Sequence, residues 1–421
     1  MRIEISPSNI KGSITAPPSK SITHRTIICA SLAQGESIIN NINICDDTLA
    51  TIESMKRLGA SIEIINDKLI VRGINLNKLG NKVELVSGSS ASTLRFIMPL
   101  ATHLFELVSF KVKNDLFLRP LEVYEKLYCS VGGINKENDF VNVKGDIDFF
   151  EYIIEGSHSS QYLTGLLFLL PILNHDSKII IKDELVSKSY LDLTIDILNK
   201  FGVFVQFNGN VIYVKGNQTF KPTEINIEGD YSLAANFLAL GATTGEVEVK
   251  GLNPSSLQGD RKIVEILKNM GCNIEINKDC VKTTKSNLIH YNLDLIDNVD
   301  LAMPFAYLAS LSQGKSIILN CKRLIYKESN RFNEIINILK RFNVSVENDS
   351  SNIYIECSNP KIEEDEIINV AKDHRIIMLS ILLAIKSNTR LIIEDVSPVN
   401  KSYPLFIEDL KKIGANIKYL D

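Results

Sequence analysis

Cations, hydroxyls and an imidazole are concentrated at the start of one apolar segment near the amino terminus. The stretch PPSKSITHRT places Lys20, Ser21, His24 and Arg25 directly before the run IICASLA. Three more apolar segments begin in the same way, with Ser89 to Ser92 followed by Arg95, with Ser159, Ser160 and Gln161, and with Asp373, His374 and Arg375. A helix amino terminus presents unpaired N–H groups and a partial positive charge, so it favours phosphate or carboxylate. The pattern predicts a site for ligands that carry at least two anionic groups.

Helix capping is the simpler explanation for some of these residues. Ser and Asp are ordinary N-cap residues, and for Asp230 or Ser232 alone capping is sufficient. It does not explain Arg25, Arg95 and Arg375, which lie about one turn inside apolar helices, where a cation opposes the helix dipole and is costly to bury. We therefore favour anion binding at these helix starts.

Other charged residues suited to acid–base chemistry or anion binding occur at comparable places. In YKESNR, Lys327 and Arg331 are four residues apart and share a helix face, with Glu328 between them. The remaining three are Arg119 in FLRPL, Lys401 in NKSYP and Asp300 in NVDLAMPFA. Each alone could be a solvated surface charge, but their recurrence across repeats indicates a site.

Two sequence patterns alternate six times along the chain. One is an amphipathic helix that ends at Gly or Asn and is followed by two short strands; the other is an apolar helix followed by a β-branched strand. The ends of the amphipathic helices recur every 69 to 73 residues, at Gly59, Gly132, Gly202, Gly271, Asn343 and Gly414. With a leading strand, each copy forms a βαβαββ unit, which predicts an α/β protein of six units, three per domain.

The repeat pattern also predicts the domain boundaries. The sixth copy stops one strand short, whereas the chain begins with a spare strand in RIEISPSNIKGSITAP. We expect one domain at residues 18–227 and the other at residues 1–17 plus 228–421, with a hinge where the chain crosses near Pro17 and Glu228. The helix starts would then face a cleft between the domains. A continuous solenoid is the less favoured alternative.

Bulk composition excludes several classes of protein. The 421 residues are 45% hydrophobic and 23% charged, with a net charge of -4, so nothing favours binding to nucleic acid. The seven cysteines are scattered, which argues against disulfides and structural zinc. No apolar stretch is long enough to span a bilayer, so we expect a cytoplasmic protein without a membrane segment.

Six motifs follow one another along the whole chain: PPSKSITHR, SSQYLTGLL, VSKSYLDLT, EGDYSLAANFLA, YKESNR and DHRIIM. In this order they resemble the enolpyruvylshikimate-phosphate synthase family. The resemblance implies a two-domain, inside-out α/β barrel-like fold and an enzyme that is often monomeric. It also implies transfer of the enolpyruvyl group of phosphoenolpyruvate to the 5-hydroxyl of shikimate 3-phosphate, with release of phosphate and without a metal or organic cofactor.

The resemblance also implies individual roles. Asp300, Glu328 and Lys20 match the family's acid–base residues. The residues that match its shikimate 3-phosphate site are Lys20, Ser21, Arg25, Ser159, Ser160, Gln161, Ser187, Asp300 and Lys327. The residues that match its phosphoenolpyruvate site are Lys20, Ala91, Arg119, Gln161, Arg331, Arg375 and Lys401.

One position bears on inhibitor sensitivity. The glyphosate-sensitive members of the family have Gly four residues before the Arg that matches Arg95, and this chain has Ala91 there. The resemblance therefore implies a glyphosate-tolerant enzyme, provided that the methyl group of Ala91 projects into the pocket rather than merely favouring the helix start.

Two other functions stay open. A UDP-N-acetylglucosamine enolpyruvyl transferase would share the fold and the donor, but that family has Lys-Asn where this chain has Lys20 and Ser21. It also has a loop cysteine, which the corresponding region from Asp115 to Arg119 lacks. A non-catalytic anion-binding protein is the second alternative, and the presence of Asp300 and Glu328 argues against it.

Overall fold

The computed structural model describes residues 1–76, 80–364 and 366–420, with side chains except that of residue 114. The strands of this part of the chain are β1 (Arg2–Ser6), β2 (Lys11–Thr15), β3 (Glu36–Asn40), β4 (Ser61–Ile65), β5 (Lys68–Arg72), β6 (Gly80–Gly88), β7 (Phe105–Val112), β8 (Gly133–Glu137), β9 (Phe140–Lys144), β10 (Glu151–Glu155), β11 (Ser177–Lys182), β12 (Val205–Asn208), β13 (Val211–Val214), β14 (Glu224–Asn226), β15 (Glu246–Lys250), β16 (Asn273–Ile276), β17 (Cys280–Thr284), β18 (Asn292–Asp294), β19 (Lys315–Leu319), β20 (Val346–Asn348), β21 (Ile353–Glu356), β22 (Glu366–Ile368), β23 (Leu391–Ile393) and β24 (Asn416–Leu420). The α-helices are α1 (Lys20–Leu32), α2 (Asp46–Arg57), α3 (Ala91–Leu104), α4 (Asn114–Phe117), α5 (Glu122–Tyr128), α6 (Ser160–Leu169), α7 (Lys188–Lys200), α8 (Tyr231–Thr244), α9 (Ile263–Asn269), α10 (Ala302–Leu311), α11 (Arg331–Arg341), α12 (His374–Lys386) and α13 (Phe406–Lys412).

The chain divides into two compact units. The inserted unit is Pro18–Ile227, and the terminal unit is Met1–Pro17 together with Glu228–Asp421. Each unit has its own hydrophobic core. No helix among the described residues is long and apolar enough to cross a membrane.

The strands form six four-stranded sheets of one design. In the sheet β10-β11-β13-β12, for example, β10 is parallel to β11, which pairs antiparallel with β13, and β13 pairs antiparallel with β12. This order is what a βαβαββ repeat produces, because a parallel pair needs a helical crossover whereas a short turn suffices for an antiparallel pair. The predicted α/β fold of six such units is confirmed.

The amino-terminal segment contributes two strands rather than one spare strand. β1 lies between β23 and β24 and pairs antiparallel with both, so it supplies the strand that the sixth repeat lacks. β2 pairs in parallel with β15 in a different sheet. Residues 7–10 separate the two strands, so the sequence prediction of a single strand was wrong.

Three helices of each unit lie in its core: α1, α3 and α6 in the inserted unit, and α8, α10 and α12 in the terminal unit. Almost every residue of these six helices is buried, which explains why their sequences are apolar nearly all round. The amphipathic helices α2, α7 and α11 bury only part of their residues. Asn343 and Gly202, just after α11 and α7, have φ values of 54° and 77°, as expected of residues that end a helix in the left-handed region.

Candidate functional site

In the terminal unit, Asp300 accepts hydrogen bonds from two arginines. It lies in the short 3-10 segment Val299–Leu301 that leads into α10. The Arg375 guanidinium, in the first turn of α12, donates to Asp300 Oδ2 at 3.0 Å. The Arg331 guanidinium, at the start of α11, donates to Asp300 Oδ1 at 3.2 Å. The Asp300 side chain is 21% exposed, so its carboxylate can still be reached from outside the core.

Asp373 orients Arg331. It is the N-cap of α12 and is fully buried, and it accepts from Arg331 Nε at 2.7 Å and from Arg331 Nη2 at 3.1 Å. Burial opposes ionisation of Asp373, but the Arg331 guanidinium lowers the pKa of this carboxyl below its ordinary value. The bidentate pair fixes the plane of the guanidinium.

Glu328 lies among three cationic or basic groups. Its carboxylate is 2.6 Å from His374 Nδ1, 3.1 Å from Lys401 Nζ and 3.5 Å from Arg331 Nη2. Burial tends to raise the pKa of Glu328, yet His374, Lys401 and Arg331 together hold it well below the usual range. In this state Glu328 is an ionised proton acceptor and not a proton donor.

Asp260 is a buried carboxyl close to the same group. Only 3% of it is exposed, and the Ser232 hydroxyl is the side-chain hydrogen-bond donor beside it. Burial and the nearby Asp300 raise the pKa of Asp260 to about 7, against the opposing effect of Arg375. Asp260 was not predicted from the sequence, because its one local signal is an Asp after the Gly in SLQGD.

Within the described residues, one group has the spacing of metal ligands. A ligand atom from each of Glu328, Asp373 and His374 lies within 4.8 Å of the others. Arg331 contacts both carboxylates, and Lys401 also contacts Glu328. Because Arg331 and Lys401 already neutralise these carboxylates, little negative charge is left to attract a metal ion.

In the inserted unit, Lys20 is the first residue of α1 and pairs with a carboxylate of the same unit. Its ammonium group is 2.7 Å from Asp47 Oδ2, and its side chain is 18% exposed. Ser19 caps the helix, and Ser21 is half-buried in its first turn. The pairing of Lys20 with Asp47 was not predicted from the sequence, because the two residues lie on different helices.

Arg25 joins α1 to α7. Its guanidinium donates to Thr194 Oγ1 at 2.8 Å, to Tyr190 O at 3.2 Å and to Ser21 O at 2.8 Å. Its guanidinium carbon also lies 4.9 Å from the centre of the Phe96 ring. Burial lowers the pKa of Arg25 to about 10. Arg25 is therefore bound within its own unit, and its contact with a ligand stays a prediction.

Arg95 orients Gln161. It donates to Gln161 Oε1 at 2.8 Å and to Pro120 O at 3.0 Å, and its guanidinium carbon lies 4.9 Å from the ring centre of Tyr162. Gln161 Nε2 in turn donates to Ser92 Oγ at 3.1 Å, which joins the first turns of α6 and α3. Arg95 therefore has partners within its own unit, and the anion-binding role expected of it stays a prediction.

Arg119 is nearly buried just after α4, 3.7 Å from Asp115 Oδ2. Lys136 Nζ donates to the carbonyl oxygen of Arg119 at 2.9 Å and so supports this part of the backbone. Ser89 Oγ donates to Asp115 Oδ1 at 2.7 Å. The loop before α3 and the segment that carries Arg119 are thereby linked.

The predicted serines lie at helix starts. Ser159 caps α6 and accepts from the backbone N–H of Gln161 at 3.3 Å, and Ser160 is the first residue of that helix. Ser187 precedes α7 with a φ of 55°, a conformation that costs a non-glycine residue about 1 kcal/mol or more. Strain of this kind occurs often at binding sites, so it supports the prediction for Ser187.

The predicted residues thus form two groups. Those of the terminal unit, Asp300, Glu328, Arg331, Arg375 and Lys401, form one connected network, and Lys327 lies partly exposed next to Glu328 in the chain. The predicted residues of the inserted unit lie at the starts of α1, α3 and α6, except that Arg119 follows α4 and Ser187 precedes α7. Ala91 is the first residue of α3 and is 9% exposed.

Comparison with known proteins assigns the chain to a family. A model of EPSP synthase (3-phosphoshikimate 1-carboxyvinyltransferase) matches residues 5–410. A 3-phosphoshikimate 1-carboxyvinyltransferase of Clostridium kluyveri is 40% identical over 420 residues, which cover 99% of this chain and 98% of the relative. The protein of the same name from Clostridium perfringens is 38% identical over 422 residues, 99% of both chains.

Solved structures share the fold. The EPSP synthase of Acinetobacter baumannii superposes with a TM-score of 0.81 at 22% identity, covering 99% of both chains. The enolpyruvyl transferase NikO of Streptomyces tendae superposes with a TM-score of 0.78 at 14% identity, covering 99% of this chain and 98% of its own. At these identities the likeness shows the fold alone.

Proposed function

Because this chain belongs to the EPSP synthase family, we propose that it transfers the enolpyruvyl group of phosphoenolpyruvate to the 5-hydroxyl of shikimate 3-phosphate and releases phosphate. The observation that carries the proposal is the pair of carboxylates, Asp300 and Glu328, that contact the same guanidinium of Arg331. Carboxylates that accept protons beside fixed cations suit a reaction that moves protons on polyanionic substrates.

The reaction needs proton transfers in two stages. In the addition, the acceptor hydroxyl loses a proton, its oxygen bonds to the carbon that carries the phosphate ester, and the methylene carbon gains a proton. In the elimination, the new methyl group loses a proton and the bond from carbon to the phosphate oxygen breaks. Phosphate then leaves with the electrons of that bond, and the double bond is restored.

We assign the proton of the hydroxyl to Asp300, whose carboxylate accepts hydrogen bonds from Arg331 and Arg375 and is partly exposed. Glu328 is held ionised by its neighbours, so it is available as a proton acceptor, and we assign to it the proton that the methyl group loses during the elimination. Lys20 carries an ammonium proton and is our candidate donor to the methylene carbon.

The remaining predicted residues would bind the substrate anions. Arg331, Arg375 and Lys401 would bind the donor in the terminal unit, where Asp373 and Glu328 already orient their charged groups. Arg119, Gln161 and Ala91 would contact the same donor, and Ser21, Arg25, Ser159, Ser160, Ser187 and Lys327 the phosphorylated acceptor. Since the cations are already ordered by carboxylates, binding a donor would cost little side-chain entropy.

A phosphate-release assay tests the proposal. We expect phosphate to be released when phosphoenolpyruvate and shikimate 3-phosphate are supplied together, and not with either alone. UDP-N-acetylglucosamine serves as the competing acceptor. Turnover with that acceptor only, or with neither acceptor, would overturn the proposal.

A further inference from the structure

A chain of buried hydrogen bonds runs across three helices of the inserted unit. His24 Nδ1, on α1, is 2.7 Å from Thr51 Oγ1, on α2, which is 2.7 Å from Thr93 Oγ1, on α3. Thr93 Oγ1 donates to Ser90 Oγ, the N-cap of α3, at 2.8 Å. All four residues are at most 1% exposed.

The hydrogen bond between Thr93 and Ser90 determines which group donates in each of the other bonds. The Thr93 hydroxyl donates to Ser90 Oγ at 2.8 Å, and the carbonyl oxygen of Asp47 is a second, more distant acceptor at 3.4 Å. Because its one proton points to these acceptors, the Thr93 oxygen can only accept from Thr51. The Thr51 hydroxyl therefore donates to Thr93 and accepts from His24, so the neutral imidazole carries its proton on Nδ1. The other ring nitrogen, Nε2, has no hydrogen-bond partner within the described part of the chain.

The imidazole stays neutral, which keeps this order of donors and acceptors. Burial lowers the pKa of His24 to about 3, and the neighbouring cations Lys20 and Arg25 act in the same direction against Asp47. His24 thus acts as a permanent hydrogen-bond donor toward Thr51.

The chain of hydrogen bonds ends at Ser90, where the first turn of α3 begins. Ser90 Oγ also accepts from the backbone N–H of Thr93 at 3.2 Å, so the same hydroxyl oxygen receives the end of the chain and caps the helix. The two residues that follow Ser90 are Ala91 and Ser92, and Ser92 accepts from Gln161. The position of this turn therefore determines where Ala91 and Gln161 lie.

We propose that His24, Thr51 and Thr93 are positioning residues that hold the first turn of α3, and thereby Ala91 and Gln161, for binding of phosphoenolpyruvate. The inference rests on the proposed function for its substrate and on the hydrogen-bond chain for its residues. It also explains the presence of His24 in the motif PPSKSITHRT, because none of the proposed binding roles involves this residue.

Stability alone gives no reason for these residue types. These hydrogen bonds lie within the apolar core of the inserted unit. In such a core, replacing both partners of a hydrogen bond with apolar groups of the same shape changes the stability little. Burying an imidazole with one nitrogen unpaired adds a cost. The hydrogen bonds fix one relative orientation of α1, α2 and the start of α3, whereas apolar side chains at the same positions would not.

The first test compares two isosteric variants. Thr51→Val removes the central hydroxyl, whereas Thr102→Val removes an equally buried hydroxyl at the other end of α3, where it contacts Tyr128. We expect Thr51→Val to raise KM for phosphoenolpyruvate roughly three- to tenfold, the range of one lost hydrogen bond, with KM for shikimate 3-phosphate nearly unchanged. Thr102→Val should leave both constants near the native values although it loses a comparable amount of stability.

The second test separates the hydrogen bond from the volume of His24. His24→Asn keeps an N–H donor near the position of Nδ1 but loses ring volume, whereas His24→Leu keeps volume and loses the donor. We expect the increase in KM for phosphoenolpyruvate in His24→Leu and not in His24→Asn. The inference would be overturned if KM for phosphoenolpyruvate rose in His24→Asn and not in His24→Leu, or if it did not rise in Thr51→Val, while the native enzyme remained active.

A measurement without substrates keeps this inference separate from the proposed function. Amide hydrogen exchange at Thr93 should be faster in Thr51→Val and His24→Leu than in the native protein and in Thr102→Val. Unchanged exchange in the first two variants would exclude the positioning role, whatever reaction the enzyme catalyses.

Discussion

At the scale of single residues, Asp300 is the side chain whose loss should separate turnover from binding. Asp300→Ala removes the proposed base, and Arg331 keeps its bidentate partner Asp373, so the fold should persist. We expect kcat to fall about a hundredfold or more, as is typical for a general base. Shikimate 3-phosphate should still bind, as calorimetry can measure.

Asp279, an exposed residue, provides the control for that substitution. Asp279→Ala should keep native turnover. If Asp300→Ala also kept it, Asp300 would have no part in the chemistry.

Asp260 predicts how stability depends on pH. Its folded-state pKa of about 7 lies above the ordinary value for Asp of about 4, so between these values the folded state holds a proton that the unfolded state has released. The free energy of unfolding should therefore fall as pH rises from about 4 to 7, by up to about 1.4 kcal/mol per pH unit from this group.

Asp260→Asn has nearly the same shape and does not titrate, so it should flatten this slope and stabilise the protein most above pH 7. Chemical denaturation at several pH values measures both effects. The same slope in the native protein and the variant would mean that Asp260 ionises normally when folded.

Ala91 predicts the response to glyphosate. If its methyl group projects into the donor pocket, Ala91→Gly should lengthen the pocket and lower the inhibition constant for glyphosate about tenfold or more, while KM for phosphoenolpyruvate changes little. The comparison of inhibition constants is the measurement. Equal constants for both proteins would show that the methyl group only favours the helix start.

At the scale of elements, Gly165 sets the approach of α6 to α3. A Cβ atom at this position would overlap the carbonyl oxygen of Arg95 and the hydroxyl of Tyr124. Gly165→Ala should therefore displace α6, lower the melting temperature and weaken the bond between Arg95 and Gln161, with a rise in KM for phosphoenolpyruvate.

Gly241→Ala on α8 is the matched comparison. Its Cβ would overlap mainly the side chain of Thr283, with the carbonyl oxygen of that residue 3.0 Å away. Since a side chain can move more easily than the backbone, we expect a smaller loss of stability there. A larger loss at Gly241 would contradict the importance of the α3–α6 approach.

At the scale of the whole molecule, we expect a monomer. The exposed large apolar side chains are scattered along the chain, from Met1 to Tyr419, and single exposed apolar residues are ordinary on a monomer. The net charge of -4 also favours solubility. Size-exclusion chromatography with light scattering should give a mass near 47.1 kDa at all concentrations. A mass that doubles with concentration would contradict this expectation.

The sequence by itself determined the repeat architecture of this protein. The period of the helix ends, the apolar and amphipathic helices and the alternating strands depend on residues close together in the chain, and the six sheets follow from them. The motifs that carry the family resemblance are likewise local, which is why residues such as Asp300, Glu328 and Arg375 could be named in advance.

Only the tertiary structure decided which partner each charged group has. Arg25 bonds to Thr194, 169 residues away, and Arg95 bonds to Gln161, 66 residues away, so both arginines have protein partners that no local pattern in the sequence revealed. The pairing of Arg331 with Asp373 and the chain from His24 to Ser90 depend in the same way on helices packed side by side. Local patterns determine the secondary structure because its hydrogen bonds are short in sequence, whereas the partners of a buried side chain are determined by whichever distant segments pack around it.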